Sequence, residues 1–529
     1  MPSVDNVFCP IIYVRGFAMS QGEIDETTAD PFCGFNIGST VFRATPDKQK
    51  QPRKFIFESP LVRLGSDFGY TDVYEDGQDV MDDDWDGAIS RQSVIIYRYY
   101  DSASSLLGDE KTPPIEDFAK GLGKLILRVR DLVCADAQNA TTKKDFRCYL
   151  VAHSMGGLVC RAFLQNAALG DDEARACVDK VFTYATPHNG IDMAGANVPS
   201  WLAAGDANNF SRTRMAEYLD LQDEFKKTGR VDWLPEKKGG FPIDRFFCLI
   251  GTNRTDYEAA RGISRTFAGH GSDGLVKIEN ALVCATKDGV PTVSAAKSFV
   301  YRSHSGIFGI VNNEESYQNL TRFLFGDVRA DLWLDVEQIT LPEKVQEQAD
   351  AGRDVDALYQ IEVLASPRGK LWYLTRRVSE EDSVACISHK DFIKAKDKAP
   401  VGLYVSSVFL AKRARVNTKR PSLAYSMTLG VRVPDYEVER KLWVNEHFEG
   451  AYLFRDSVTI EIVPPKEEDG DWRVAYDWHS NKLGAATTPL DAKALKTGKV
   501  ELVIPFESAT TPGIKGRVRF IVSRWNEPA

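Results

Sequence analysis

The stretch Arg147-Cys148-Tyr149-Leu150-Val151-Ala152-His153-Ser154-Met155-Gly156-Gly157-Leu158 constrains this chain more than any other. An apolar run of strand character enters a small-x-Ser-x-small turn, and an amphipathic segment (Leu158, Val159, Ala162, Phe163) follows at once. The pattern places a serine on a sharp turn from strand to helix. Only small residues two before and two after it, Ala152 and Gly156, let the backbone fold so tightly. The helix that follows offers free N–H groups and a positive dipole end beside the hydroxyl. Such a serine is either a nucleophile or an ordinary turn residue, and the rest of the chain decides between them.

The decision comes from what flanks it. Upstream, Cys9-Pro10-Ile11-Ile12-Tyr13-Val14-Arg15-Gly16-Phe17 is a short apolar strand ending at a glycine turn. Downstream, Lys180-Val181-Phe182-Thr183-Tyr184 predicts a strand, with Ala185-Thr186-Pro187-His188-Asn189-Gly190 as its turn. The strand Phe246-Phe247-Cys248-Leu249-Ile250-Gly251 comes next, then Gly271-Ser272-Asp273-Gly274-Leu275-Val276. The strand Ser298-Phe299-Val300-Tyr301 is last and ends in Arg302-Ser303-His304-Ser305-Gly306. Nucleophile, acid and base thus fall in the order Ser154, Asp273, His304.

Four of the seven histidines lie in this half. His153 adjoins the serine and reads as a packed neighbour. His188 follows a strand and is placed to line the site. His270 stands too close in sequence to Asp273 to be its obvious partner. His304 alone follows the last strand, which makes it the candidate base. Asp256 competes for the role of acid, because it lies nearer the end of the strand that closes at Gly251.

These motifs resemble those of bacterial lipases and esterases of the α/β-hydrolase superfamily, and of its GPI inositol-deacylase-like group. The Ala-His-Ser-Met-Gly-Gly and Ala-Thr-Pro-His-Asn-Gly segments carry the likeness, which covers residues 1–330. It implies an α/β fold, a doubly wound α/β-hydrolase sheet with a lid insertion. It implies Asp273 as acid through the Ser-Asp-Gly-Leu-Val turn, and His304 as base through His-Ser-Gly. The oxyanion hole it implies is made by the backbone N–H groups of Phe17 and Met155. Relatives place His-Gly where this chain has Arg15-Gly16. The donor there is backbone, so Arg15 is free to brace the loop through carbonyls or to face an anionic substrate group.

The implied activity is a serine carboxylic-ester hydrolase acting on a small-molecule or lipid ester through an acyl-enzyme, with no cofactor and no metal. An acyltransferase would use the same triad and exclude water from the second step. A non-catalytic interaction protein on a hydrolase scaffold is a third reading, and the intact order of Ser154, Asp273 and His304 argues against it.

A length of 529 residues suggests two to four domains at about 150 residues each. A net charge of -9 argues against a nucleic-acid partner, which would need a basic face. No basic and apolar leader precedes the first strand, and no apolar run has the length of a membrane span. Nine cysteines without a C-x-x-C pair read as buried thiols of a reducing compartment, so a cytoplasmic protein is expected; export without a signal is compatible with this.

The remaining segments are insertions and an appended region. Asp82-Asp83-Asp84-Trp85-Asp86-Gly87 matches the first half of a calcium loop, but Ser93 stands where the final Glu belongs, so it reads as a solvated acidic loop. Residues 191–243 occupy the position of a lid or cap. They carry Ile191, Met193, Val198, Trp201 and Leu202, then an amphipathic helix (Met215, Leu219, Leu221, Phe225). A lid over an acyl pocket makes Trp201 a substrate-binding candidate beside Arg15 and His188; a helix packed on the sheet is the alternative. Residues 331–529 alternate with period two and predict an antiparallel β-sandwich accessory domain of eight or nine strands. Its expected uses are substrate binding, peripheral contact with a lipid surface, partner binding, or a purely structural or dimerising role.

Overall fold

The computed structural model describes residues 8–16, 40–43, 53–56, 60–73, 80–81, 87–97, 99, 113–136, 141–193, 196–197, 206–255, 271–305, 309–396, 400–415, 417–438, 446–465, 472–481, 488–495 and 498–526. Two compact units result, one of 1–297 with 301–324, the other of 325–529 with 298–300.

The first unit is built on a seven-stranded sheet. Its strands are β1 (Ile11–Val14), β2 (Thr71–Asp72), β3 (Ser93–Tyr97), β4 (Cys148–His153), β5 (Val178–Tyr184), β6 (Phe246–Gly251) and β7 (Ala296–Val300), in the spatial order β7-β6-β5-β4-β1-β3-β2. Pairing is parallel from β6 through to β2, with Ile12 opposite both Leu150 and Ile95. A parallel sheet covered on both faces needs continuous apolar strands. Accordingly β1, β6 and nearly all of β4 and β5 are buried at every position.

Helices cover it: α1 (Pro60–Phe68), α2 (Ile115–Ala135), α3 (Met155–Gln165), α4 (Arg212–Tyr218) and α5 (Glu314–Phe325). In α2 the spacing of Ile115, Phe118, Ala119, Leu122, Ile126, Val129 and Val133 puts one stripe inward, and all are buried. Helix α3 is buried from Met155 through Leu164, as befits a helix that starts in the middle of the sheet's edge. Sheet order, elbow and helices are those of the α/β-hydrolase fold.

The described part of the 191–243 insertion packs into this unit. Phe210, Met215, Tyr218 and Leu219 share one apolar cluster with Leu158, Val159 and Phe163 of α3. Trp233–Pro235, Cys284–Lys287 and Val290–Ser294 form a separate three-stranded sheet that sequence periodicity did not indicate. Its hairpin turns at Asp288 (φ 54°) and Gly289 (φ 78°), the two left-handed residues that a tight two-residue turn requires. Arg161 of α3 ties the insertion down from inside. Fully buried, it donates to the carbonyls of His188 (3.0 Å), Val231 (3.0 Å) and Trp233 (2.7 Å). Burial lowers its pKa to about 10, so it stays charged at neutral pH.

The second unit is a β-sandwich with more strands than expected. A five-stranded sheet contains β8 (Val328–Thr340), β10 (Val401–Leu410), β13 (Val500–Glu507) and β14 (Gly513–Arg524); a nine-stranded one contains β9 (Val355–Pro367), β11 (Leu423–Arg432) and β12 (Tyr452–Val463). Leu332, Leu334, Leu502 and Val518 from the first meet Ile361, Leu429 and Val458 from the second in one core. The added strands are short, such as Thr375–Arg377 and Ala385–Ser388, and carry too few residues to display a period of two.

Arg161→Leu removes the guanidinium that donates to those three carbonyls and leaves them buried without it. We expect a loss of about 3 kcal/mol or more in urea unfolding. A variant as stable as wild type would show that the three bonds are dispensable.

Candidate active site

In an open parallel sheet, ligands bind beyond the carboxyl ends of the strands, and the residues of interest gather there. Ser154 follows β4, Gly16 follows β1, Asp273 lies in the loop beyond β6, and His304 lies beyond β7. The turn at Ser154 is as tight as its neighbours suggested. Its backbone sits at φ 51°, ψ -124°, a conformation costing about 1–3 kcal/mol for a non-glycine residue. Its N–H donates to Tyr184 O at 2.9 Å and its carbonyl accepts from Gly157 N at 3.1 Å. A Cβ on Gly156 would lie 2.2 Å from Val14 O, and one on Gly16 would lie 2.9 Å from Ser154 Cβ. Glycine at both positions is what lets β1 and the elbow touch.

The three residues read from sequence form one buried line. Ser154 Oγ is 2.9 Å from His304 Nε2, and His304 Nδ1 is 2.9 Å from Asp273 Oδ2. All three are nearly closed to solvent. Asp273 divides its two oxygens. Oδ2 faces the imidazole, while Oδ1 accepts the N–H groups of Leu275 (3.0 Å) and Val276 (2.8 Å) within its own turn. That arrangement orients the carboxylate, and a carboxylate at Nδ1 requires Nδ1 to carry hydrogen and Nε2 to accept from the serine hydroxyl. The base loop is fastened separately. Arg302 bonds Glu315 of α5 at 2.7 Å, and Asn253 N donates to Arg302 O at 3.2 Å.

Met155 is the first residue of α3, so its N–H has no acceptor inside the helix. Phe17, Trp201, Asp256, His270 and residues 82–86 lie outside the described residues. Arg15 is half-buried beside Gly16, and its charge acts on His153. His188 is fully buried, with Nε2 3.2 Å from Thr183 Oγ1 and its ring 5.5 Å from Phe246. Those contacts join it to the sheet and include none of Ser154, Asp273 or His304.

Two residues escaped sequence reading. Tyr99, just past β3, donates to the carbonyls of Arg15 and Gly16 and so pins the turn after β1. Its signal was position, a tyrosine two residues beyond a strand that neighbours β1. Arg161 is the other; nothing in a helical run marks an arginine as buried. Among the described residues one group has metal-ligand atoms close together, the exposed Asp435 and His447 with the half-buried Glu437 of the second unit, where His447 Nδ1 lies 3.7 Å from Asp435 Oδ2 and 3.8 Å from Glu437 Oε1. No described helix is long and apolar enough to cross a membrane.

The fold and the buried Ser-His-Asp line define a serine-hydrolase-type site on an α/β-hydrolase fold. No protein-family model matches the chain, and no curated protein matches it. A solved structure of the lin2722 gene product of Listeria innocua is similar at 11% identity, over 60% of this chain and 93% of that one, with a TM-score of 0.26. A likeness of that size carries no weight for fold or activity.

His188 is buried in the neutral form, its pKa held well below 6.5 by burial and then by the Arg161 charge. The unfolded chain takes up a proton as pH falls through about 6.5, and the native state refuses it. Stability is therefore complete above that pH and falls below it, by up to about 1.4 kcal/mol per pH unit for one such histidine. Between pH 7.5 and 5, the melting temperature of wild type should drop more than that of His188→Gln, each referred to its own value at pH 7.5. Equal drops would refute the neutral burial.

Proposed function

We propose that this chain is a serine carboxylic-ester hydrolase, an esterase or lipase of the α/β-hydrolase superfamily, working through an acyl-enzyme. What supports the reading is the hydrogen-bonded line from Ser154 Oγ through His304 to Asp273. As Oγ bonds to the ester carbonyl carbon, the hydroxyl proton passes to His304 Nε2 and the carbonyl electron pair moves to oxygen. The N–H groups of Met155 and Phe17 hold that oxyanion. Collapse expels the alcohol, which takes the proton from His304. Water then attacks the acyl carbon, gives its proton to His304, and releases the acid as Ser154 Oγ is reprotonated. Asp273 stabilises the imidazolium in both halves.

In this reading Arg15 at the oxyanion turn favours esters with an anionic group, and Trp201 contributes an apolar wall. His188 acts by shaping the turn that follows β5. Residues 331–529 serve as an accessory domain, with a lipid surface among its candidate contacts.

The test compares wild type, Ser154→Ala and Asp273→Asn on p-nitrophenyl esters from acetate to palmitate, with fluorophosphonate labelling alongside. Turnover should fall by about 10⁴-fold or more in Ser154→Ala, with label lost, and by about 10⁴-fold in kcat for Asp273→Asn. The chain-length profile separates esterase from lipase, and an added alcohol acceptor reveals an acyltransferase by its ester product. Wild-type protein that neither turns over nor labels would sink the catalytic reading.

A further inference from the structure

The site holds a second imidazole that ester hydrolysis, as described, does not use. His153 is the last residue of β4 and immediately precedes Ser154. Its Nε2 is 2.8 Å from the main-chain oxygen of His304. A carbonyl only accepts, so Nε2 carries the hydrogen and Nδ1 is bare. Nδ1 lies against the turn after β1, where a Cβ on Gly16 would approach it to 3.1 Å. The rings of His153 and His304 have centroids 5.0 Å apart. On the other side, the main-chain N–H of His304 donates to Asp273 O at 3.0 Å. The peptide groups flanking the base are therefore held at both ends, by the acid and by the nucleophile's own neighbour.

We propose that His153 is a positioning residue whose Nε2–H, given to the His304 carbonyl, sets His304 Nε2 against Ser154 Oγ. The proposal rests on the serine-hydrolase reading above. Residues 153 and 154 are consecutive, so the elbow grips the base twice, once through the hydroxyl and once through the carbonyl. Within the base loop, Ser303 Oγ donates to Ser305 O. A displacement of about 1 Å at a reacting group costs about 10²-fold in rate. Neutrality is part of the device. A charged ring here would face the imidazolium that His304 becomes during attack, and burial, then His304 and Arg15, keep His153 uncharged with a pKa of about 3.

The experiment pairs His153→Gln with His153→Asn in the full-length protein. A glutamine amide nitrogen reaches the place of Nε2, whereas an asparagine amide ends near Nδ1. Turnover of p-nitrophenyl butyrate and the rate of fluorophosphonate labelling are normalised to folded protein, which thermal melts report. We expect His153→Asn to lower kcat by about 10²-fold with KM changed less than about 2-fold, and His153→Gln to stay within about 5-fold of wild type. Gln and Asn variants with equal kcat, whether both impaired or both normal, overturn the proposal while Ser154-dependent labelling of wild type leaves the parent reading standing. Wild-type protein without label at Ser154 ends that reading, and the proposal with it.

Discussion

The backbone at Ser154 is the constraint on which the first unit depends. Held at φ 51°, the serine turns the chain from the middle strand of the sheet straight into α3. An L-residue adopts such a conformation only where its surroundings over-determine it. Here they do so from three directions. The Tyr184 carbonyl fixes the serine N–H, the Val14 and Arg15 carbonyls crowd the Gly156 Cα, and Leu158 through Ala162 lock α3 into the core without solvent contact. Relaxing the turn would require moving β1, β5 or the helix, and each is buried along nearly its whole length.

That rigidity is local, while the proposed chemistry draws on four loops. Each loop is fastened by bonds that are not part of the Ser-His-Asp line. Tyr99 holds the turn after β1, the Asp273 carboxylate folds its own turn around one oxygen, and Arg302 anchors the base loop to α5. The placement of these groups follows from many such bonds in series on a stiff sheet, more than from any strength in the three central contacts.

What was legible in the sequence follows the same physics. Strands β1, β4, β5 and β6 could be read because burial on both faces forces continuous apolar runs, and the site residues could be read because they sit at strand ends in a set order. Tyr99 and Arg15 are 84 positions apart, and a bond across that gap leaves no local mark. Arg161 is equally silent, since its helical position looks like any solvated arginine. The stripe of Met215, Leu219 and Leu221 was visible, but a stripe says that a face is covered without saying by what; in the structure it is covered by the core. The hairpin at Asp288-Gly289 went unread, because the strands around it are too short and polar to show a period of two.

The histidines show how one residue type is divided between uses by its immediate partners. His304 meets a carboxylate at one nitrogen and a hydroxyl at the other. His153, one residue before the nucleophile, meets a carbonyl and two groups that repel a cation, and His188 meets a threonine, a phenyl ring and a buried arginine. Both are denied a proton, by burial first and by neighbouring positive charge second. Among the described imidazoles of this unit, the ring facing Asp273 is the one placed between a carboxylate and the serine hydroxyl.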